Sequence, residues 1–188
     1  MEKSAAQRMA RILRGMVTAV FGLNLFCLPL VPGAVVFWLD HVSPWEWVSH
    51  ESGEGLFWAA VIFFGAYGLF TEVSMYMVWS LFFWLCGICT ATILWQARKV
   101  LDTILEETPF QMSNARALSR AAVCCWVISG VALVRLIWWL RFDHSAAPLF
   151  TYNTLFIFAF LMAGLLFQVM SALFRQAAEL KEDQDLTI

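Results

Sequence analysis

The sequence predicts an all-α membrane protein: a four-transmembrane-helix bundle with an extended cytoplasmic helical hairpin and an interfacial or re-entrant outer segment. Of the 188 residues, 61% are hydrophobic, 16% aromatic and only 14% charged. A soluble domain of this length has a large surface for its volume and could not bury so many apolar side chains. In addition, no Lys or Arg occurs between residues 15 and 97. These observations indicate that lipid is part of the solvent.

Four segments are long and apolar enough to cross a bilayer, which takes about 20 helical residues. Each must be a helix, because lipid offers no hydrogen-bond partner to a bare backbone group. The first is not interpreted as a cleaved signal peptide, since its apolar run is too long and no small-x-small site follows it. The predicted organisation is a tail (1–14), transmembrane helices at 15–39, 73–97, 121–140 and 149–174, outer loops at 40–72 and 141–148, a hairpin (98–120) and a second tail (175–188).

The basic residues predict the orientation, because Lys and Arg concentrate on the cytoplasmic side of membrane proteins. Ten of the 12 Lys and Arg residues fall in the two tails and the hairpin. The loop 40–72 has none, and the loop 141–148 has only Arg141. We therefore expect a multi-pass protein of the bacterial cytoplasmic (inner) membrane, with both termini and the hairpin inside the cell.

A shorter apolar stretch, residues 56–70, lies within the first outer loop. It is short for a transmembrane helix, and Gly65 and Gly68 permit a bend. We expect an interfacial or re-entrant element on the outer side. The alternative is a fifth span, with a turn at Thr71 and Glu72, which would move the hairpin outside and violate the charge rule.

Two charged residues stand near the outer end of the predicted bundle. Glu72 immediately precedes the second span, and Arg135 lies within the third. A Glu72–Arg135 pair would offset the cost of an Arg in lipid, which is about 3 kcal/mol near a helix centre. In the alternative, Arg135 extends towards the headgroups alone and Glu72 is solvated.

The cysteines and histidines do not form a recognisable reactive or metal-binding pattern. Cys86 and Cys89 have the C-x-x-C spacing of thiol oxidoreductases, but they fall in the middle of the second span. Buried Cys usually behaves as a small hydrophobe, so we expect these thiols to pack rather than react. The three histidines, His41, His50 and His144, are scattered over the outer loops. We predict no metal and no cofactor.

The hairpin region should contain two helices that extend beyond the bilayer. Apolar residues after the second span keep a helical spacing, and Thr108-Pro109 should end that helix because Pro cannot continue it. Ser113 is a suitable N-cap for the next helix, and Phe110 should lie at the tip. The fourth helix should run to about Leu180. The acidic residues after it could then fold back on Arg116 and Arg120.

Three short stretches carry a family resemblance: "LDTI" and "TPFQMSNARAL" in the hairpin, and the terminal "EDQDLTI". Together they resemble the uncharacterised bacterial membrane family known as domain of unknown function 2975. The layout of four spans, a Pro-Phe hairpin and an acidic end covers nearly the whole chain. Thr108 stands where Gly or another turn residue is more usual. The matching positions are Leu101, Asp102, Ile104, Pro109, Phe110, Asn114, Leu118, Asp183, Asp185, Leu186 and Thr187.

The resemblance implies no enzymatic activity, and we expect none. Genes of the family often lie beside one for a small cytoplasmic helix-turn-helix regulator, which suggests that the membrane protein binds or tethers such a regulator. The hairpin and tail would be its docking surface, or they could simply cap the base of the bundle. The candidate partner-binding residues are Asp102, Pro109, Phe110, Asn114, Arg116, Leu118, Arg120, Asp183, Asp185 and Leu186.

Two other functions are compatible with the composition. A small transporter or carrier of lipid or another hydrophobic ligand would need a cavity between the spans, with Glu72 and Arg135 at its outer mouth. A membrane thiol redox enzyme would use Cys86 and Cys89. The net charge of -2 argues against direct nucleic acid binding. The lipid bilayer is the expected environment, and the glycine-containing helix surfaces would suit a homodimer.

Overall fold

A computed structural model of the chain describes residues 5–32, 34–35, 74–143 and 152–185. These residues are helical apart from the short connection at 106–111, and no strand occurs among them. The elements are α1 (Ala5–Cys27), which continues into a 3-10 helix (Leu28–Leu30), then α2 (Ser74–Leu105), α3 (Met112–Asp143) and α4 (Tyr152–Asp185). The all-α class predicted from the sequence is confirmed.

In the described part of the chain, four helical stretches are long and apolar enough to cross a membrane, and the first includes the 3-10 helix that follows α1. Side chains such as Val134 and Leu166 are about two-thirds exposed, although they lie in the middle of these stretches. Large apolar groups at such positions are expected to face lipid rather than water. The stretches are Gln7–Leu30, Met77–Leu105, Met112–Arg141 and Thr154–Gln184.

The helices extend beyond the apolar runs that identified them. α2 continues to Leu105, and α4 continues to Asp185, past the expected end near Leu180. Good helix formers follow position 174, and Arg175 pairs with Glu179 one turn later, with 2.9 Å between Nε and Oε1. This sequence keeps the last acidic residues of α4 in a helix up to position 185.

The chain forms two compact units. The first consists of Met1–Phe21 together with Cys89–Ile188, and the second consists of Gly22–Ile88. In the first unit, α3 and α4 run antiparallel along a seam of small residues. Ser171 donates a hydrogen bond to the Ala115 carbonyl (2.7 Å), and Ser129 donates one to the Ile157 carbonyl (3.0 Å). Between these bonds, Gly164 lies against Ala122, whose side chain is fully buried.

The seam repeats every seven residues on both helices, which is the spacing of a left-handed coiled coil. Such a hydrogen bond between helices in a membrane contributes only about 0.6 kcal/mol, so close packing of the small residues is the larger effect. The facing pairs are Ala115 with Ser171, Ala122 with Gly164 and Ser129 with Ile157.

The first unit also contains an antiparallel contact between α1 and the end of α2. The contacting positions on α1 are again seven residues apart. The Gln7 side chain donates to the Glu107 carboxylate (2.6 Å), Arg14 pairs with Asp102 (2.6 Å between Nε and Oδ1), and the rings of Phe21 and Trp95 lie 5.7 Å apart. α1 thus contacts α2 through an aromatic contact and an ion pair, and contacts the turn that follows α2 through a hydrogen bond.

In the second unit, a proline determines how α1 ends. Pro32 has no N–H, so it cannot donate to the carbonyl of Leu28 one turn earlier. That carbonyl accepts two other hydrogen bonds, from the Val31 N–H and from Trp84 Nε1 at 2.8 Å. The Leu28 side chain also fills the space beside Gly87, where an added Cβ would lie 2.8 Å from Leu28 Cδ2. The end of α1 is therefore tied to α2.

Several predictions concern residues outside the described ranges. These are the outer loop 40–72 with its 56–70 segment and Glu72, the connection 144–151, all three histidines, and Leu186 at the end of the chain. The side of the membrane on which each end lies also remains a prediction, based on the distribution of Lys and Arg.

Candidate interaction site at the turn between α2 and α3

The end of α2 forms a Schellman motif, although the sequence has no Gly at the required position. The Thr108 N–H bonds to the Thr103 carbonyl (3.0 Å), and the Glu107 N–H bonds to the Ile104 carbonyl (3.3 Å). The backbone of Glu107 itself is in the left-handed region, with φ 60°. α2 therefore ends at Leu105, before the Thr108-Pro109 pair that was expected to stop it.

Asn114 links the two helices across the turn. Its side chain is buried, with 1% exposed, and its amide nitrogen donates to Thr103 Oγ1 (2.6 Å) and to the Pro109 carbonyl (2.7 Å). The Thr103 hydroxyl in turn donates to the Val100 carbonyl (2.8 Å). The backbone of the turn is thus held from inside by one side chain, and Asn114 is a structural residue.

α3 begins at Met112, one residue before the expected N-cap, Ser113. The Asn114 N–H donates to the Gln111 carbonyl (3.0 Å), which makes Gln111 the residue that opens the helix. The side chains of Gln111 and Thr108 are joined by a 2.8 Å hydrogen bond, and Ser113 is exposed and donates to Gln111 Oε1 (3.1 Å). The polar side chains at the start of α3 and just before it therefore form hydrogen bonds with one another.

Phe110 lies at the surface of the turn and contacts α4. Its ring centroid is 5.9 Å from that of Phe174, yet 49% of the residue is exposed. Pro109, which precedes it, has a fixed φ, and its carbonyl accepts a hydrogen bond from Asn114. The aromatic side chain is consequently presented by a constrained backbone.

Asp102 has a partner that sequence reasoning missed. Its carboxylate pairs with Arg14 of α1, although both side chains are more than one-third exposed. At such exposure an ion pair contributes roughly 0–1 kcal/mol, because water and salt screen it. Asp102 therefore helps to align α1 with α2 but adds little to overall stability.

Arg116 and Arg120 are exposed, whereas Leu118 is half-buried on another face of α3. Within the described ranges, neither arginine forms an ion pair, and the expected contact with a folded-back tail is not observed there. The acidic residues near the end of α4 lie on a helix that is continuous up to Asp185. Asp183 is exposed, while the side chain of Asp185 and residue Leu186 lie outside the described part.

The end of α4 projects beyond the turn. Because Ser171 lies opposite Ala115, the register places Phe174 opposite the start of α3. Residues 175–185 then continue for about 16 Å of helix past that point. Leu180 is 64% exposed on this extension. The turn (residues 106–111) and the α4 extension (residues 175–185) form the candidate interaction site.

The remaining predicted site residues lie elsewhere. Arg135 is half-buried in α3 and takes part in other interactions, and its proposed partner Glu72 is not described. Cys86 and Cys89 lie within α2 as thiols that form no disulfide, and Cys89 is buried. No group of three or more His, Cys, Asp or Glu side chains that could hold a metal ion occurs in the described ranges.

A comparison with protein families supports the resemblance noted from the hairpin and tail motifs. The family described as "Protein of unknown function (DUF2975)" matches residues 48–188, well over half of the chain. The match includes α2, α3 and α4 with the turn and the α4 extension. No curated protein and no solved structure matches the chain. On the strength of the family match, the chain is a member of the DUF2975 family of proteins of unknown function.

Proposed function

We propose that this chain is an integral membrane interaction protein, which presents the turn and the α4 extension to a cytoplasmic protein. The observation that carries the proposal is the state of Phe110. Its backbone is constrained by Pro109 and by the bond from Asn114 to the Pro109 carbonyl, and about half of the residue remains exposed beside Phe174. An aromatic group that is already ordered loses little entropy when it is covered by a partner.

The α4 extension supplies a second contact region with a defined charge. Residues 175–185 contain four acidic and two basic residues, a net charge of -2. Arg175 is already paired with Glu179, and Leu180 is exposed among the charges. This arrangement favours a partner with a basic surface around an apolar pocket.

A small helix-turn-helix regulator fits that description, because DNA-binding domains carry basic patches. Such a regulator is also what the family resemblance implies. Binding of its basic surface to the acidic helix would hold it at the membrane and compete with DNA phosphates for the same Lys and Arg side chains. We propose no catalytic role for the chain.

The proposal can be tested in living cells with a photo-cross-linking amino acid placed at position 110 or position 180. Position 166 in the middle of α4 is the matched control, because Leu166 is as exposed as Leu180, at 64%. We expect one cytoplasmic protein to be cross-linked from both test positions and not from the control. The proposal fails if neither test position yields a cytoplasmic protein, or if the same product arises from position 166.

A second comparison separates docking from structural support. Phe110→Ala and Phe174→Ala both remove the ring contact between the turn and α4. Only the first removes the exposed ring, so it should weaken binding of the purified cross-linked partner far more than the second. Equal losses would mean that Phe110 acts through the fold alone.

A carrier function is less well supported by the geometry of the first unit. The α3–α4 seam is closed by direct contact of Gly164 with Ala122 and by two short hydrogen bonds. These contacts leave no room for a hydrophobic ligand between the two helices.

A further inference from the structure

One face of α3 combines two arginines with a strip of exposed apolar residues. At 100° per residue, all these positions fall within about 80° of the helix circumference. They lie opposite buried residues such as Asn114 and Cys125. The strip consists of Arg116, Arg120, Val123, Val127, Gly130 and Val134, all of them exposed.

The two arginines form the polar end of this strip. They are one turn apart, so their guanidinium groups can reach the same anion. Neither pairs with an acidic side chain in the described ranges, in contrast to Arg14 and Arg175. A planar guanidinium offers paired donors that match the oxygens of a phosphate.

The position of the arginines along α3 coincides with the expected edge of the hydrocarbon. The run 121–140 begins immediately after Arg120 and is long enough to span about 30 Å. Arg120 therefore lies at headgroup level and Arg116 one turn further out. Gly130 lies about 15 Å from Arg120 along the helix, which is about the thickness of one leaflet.

The apolar part of the strip has a shallow place for an acyl chain. Gly130 has no side chain, and a Cβ added there would meet nothing within 4 Å. The neighbouring Val123 and Val127 are short side chains, so a lipid tail can lie close to the helix backbone. This dimension and charge pattern matches one phospholipid of the leaflet that contacts the hairpin.

We propose that this face of α3 binds an anionic phospholipid, with Arg116 and Arg120 holding the phosphate and Val123, Val127 and Gly130 lying along an acyl chain. The site is separate from the docking surface proposed above, because Phe110 contacts α4, whereas Arg116 and Arg120 lie on a different face of α3 from Ala115 and Ala122, which contact α4. Loss of lipid binding therefore leaves the partner cross-links at positions 110 and 180 unchanged.

The test uses the purified full chain in detergent micelles, with phosphatidylglycerol or phosphatidylcholine added at equal concentration. Native mass spectrometry measures how much of each lipid stays bound. The test variant is Arg116→Gln with Arg120→Gln. The control is Arg8→Gln with Arg11→Gln, which removes the same charge from two exposed positions on α1.

We expect wild type and the control to retain phosphatidylglycerol in preference to phosphatidylcholine. The test variant should lose this preference by a factor on the order of ten to thirty. Unchanged retention in the test variant would overturn the proposal, as would an equal loss in the control. Displacement of the lipid by about 10 mM inorganic phosphate, roughly tenfold above a Kd of about 1 mM, would also overturn the proposal, because the site would then bind a free anion.

A measurement on the wild-type chain keeps the proposal testable if the double variant does not fold. Headgroup contacts are ionic, so the preference for phosphatidylglycerol should fall as salt is raised from about 0.05 to about 0.5 M, where screening is strong. A preference that does not change with salt would show that the arginines do not hold the phosphate.

Discussion

Asn114 Nδ2 lies 2.6 Å from Thr103 Oγ1 and joins the first turn of α3 to the last turn of α2. The same amide group donates to the Pro109 carbonyl at 2.7 Å. Because Asn114 is almost fully buried, water cannot replace either bond. Asn114 is therefore the side chain that fixes the Pro109 end of the turn, next to Phe110, to α2.

Substitution of Asn114 should consequently weaken the turn. Asn114→Ala removes both bonds, although the Pro109 carbonyl keeps its bond from the Gln111 N–H (3.1 Å). Each hydrogen bond contributes about 0.5–1.5 kcal/mol, so the free energy of unfolding should fall by about 1–3 kcal/mol. Ser113→Ala is the control, since Ser113 is exposed and its change should stay within about 0.5 kcal/mol. Thermal unfolding of both variants in the same detergent measures the difference. Equal midpoints for the two would contradict the role given to Asn114.

Substitution of Glu107 should raise the stability of the chain, in contrast to substitution of Asn114. It occupies a left-handed conformation, which costs a residue with a Cβ about 1–2 kcal/mol, whereas Gly adopts it freely. Gly also increases the entropy of the unfolded chain, which lowers the stability by about 0.4–1 kcal/mol and offsets part of this gain. We therefore expect Glu107→Gly to raise stability by about 0.5–1 kcal/mol.

The hydrogen bond from Gln7 to Glu107 must be separated from this backbone effect. Both side chains are at the surface, so Gln7→Ala should be nearly neutral, and Glu107→Gly should stabilise the chain equally in that background. Chemical denaturation of the four members of this double-mutant cycle gives the two contributions. A lower stability for Glu107→Gly would mean that the side-chain bond outweighs the relief of strain.

Sequence reasoning predicted the parts of this fold that depend on local pattern. Apolar runs of about 20 residues identified the four helices, because lipid permits only a few types of backbone there. Pro109 located the turn to within a few residues. The Schellman motif was not predicted, because its usual signal is Gly and this chain has Glu107.

The contacts between helices could not be predicted from any single segment. Thr103 and Asn114 form a pair only because the turn brings two helix ends together, and neither residue marks this on its own. Gln7 and Arg14 belong to the predicted basic tail, yet Gln7 bonds to Glu107 of the turn and Arg14 pairs with Asp102 of α2. The seven-residue spacing of small residues on α3 (Ala115, Ala122 and Ser129) and between Gly164 and Ser171 on α4 was a usable signal. It becomes clear only when the two helices are aligned in antiparallel register.

Two glycines in this helix pair should respond to the same substitution with opposite sign. A Cβ at Gly164 would overlap the Trp126 indole and lie 3.3 Å from the Ala122 carbonyl oxygen, whereas a Cβ at Gly130 meets nothing within 4 Å. Ala is favoured over Gly in a helix by about 1 kcal/mol. Gly130→Ala should therefore stabilise the chain by up to about that amount.

At Gly164 the overlap outweighs the gain in helix propensity. Overpacking of a close interface costs about 1–3 kcal/mol, so Gly164→Ala should lower the unfolding midpoint. Trp126→Ala provides the check, because removal of the indole should restore part of the loss. If both Gly→Ala variants gain stability, the α3–α4 seam is looser than the contact between Gly164 and Ala122 indicates.

The orientation of α3 is the prediction on which the proposed partner depends. Ser113 and Arg141 are both exposed near opposite ends of this helix, and they are separated by about 42 Å of helix, which is close to the full thickness of a bilayer. In a chain whose native cysteines are replaced by Ala, Ser113→Cys should react with a membrane-impermeant maleimide only after the cells are permeabilised. Arg141→Cys should react on intact, wall-stripped cells, because the basic residues place that end outside. Reaction of the Ser113 variant on intact cells, with protection of the Arg141 variant, would reverse the orientation and remove a cytoplasmic protein as the partner of Phe110.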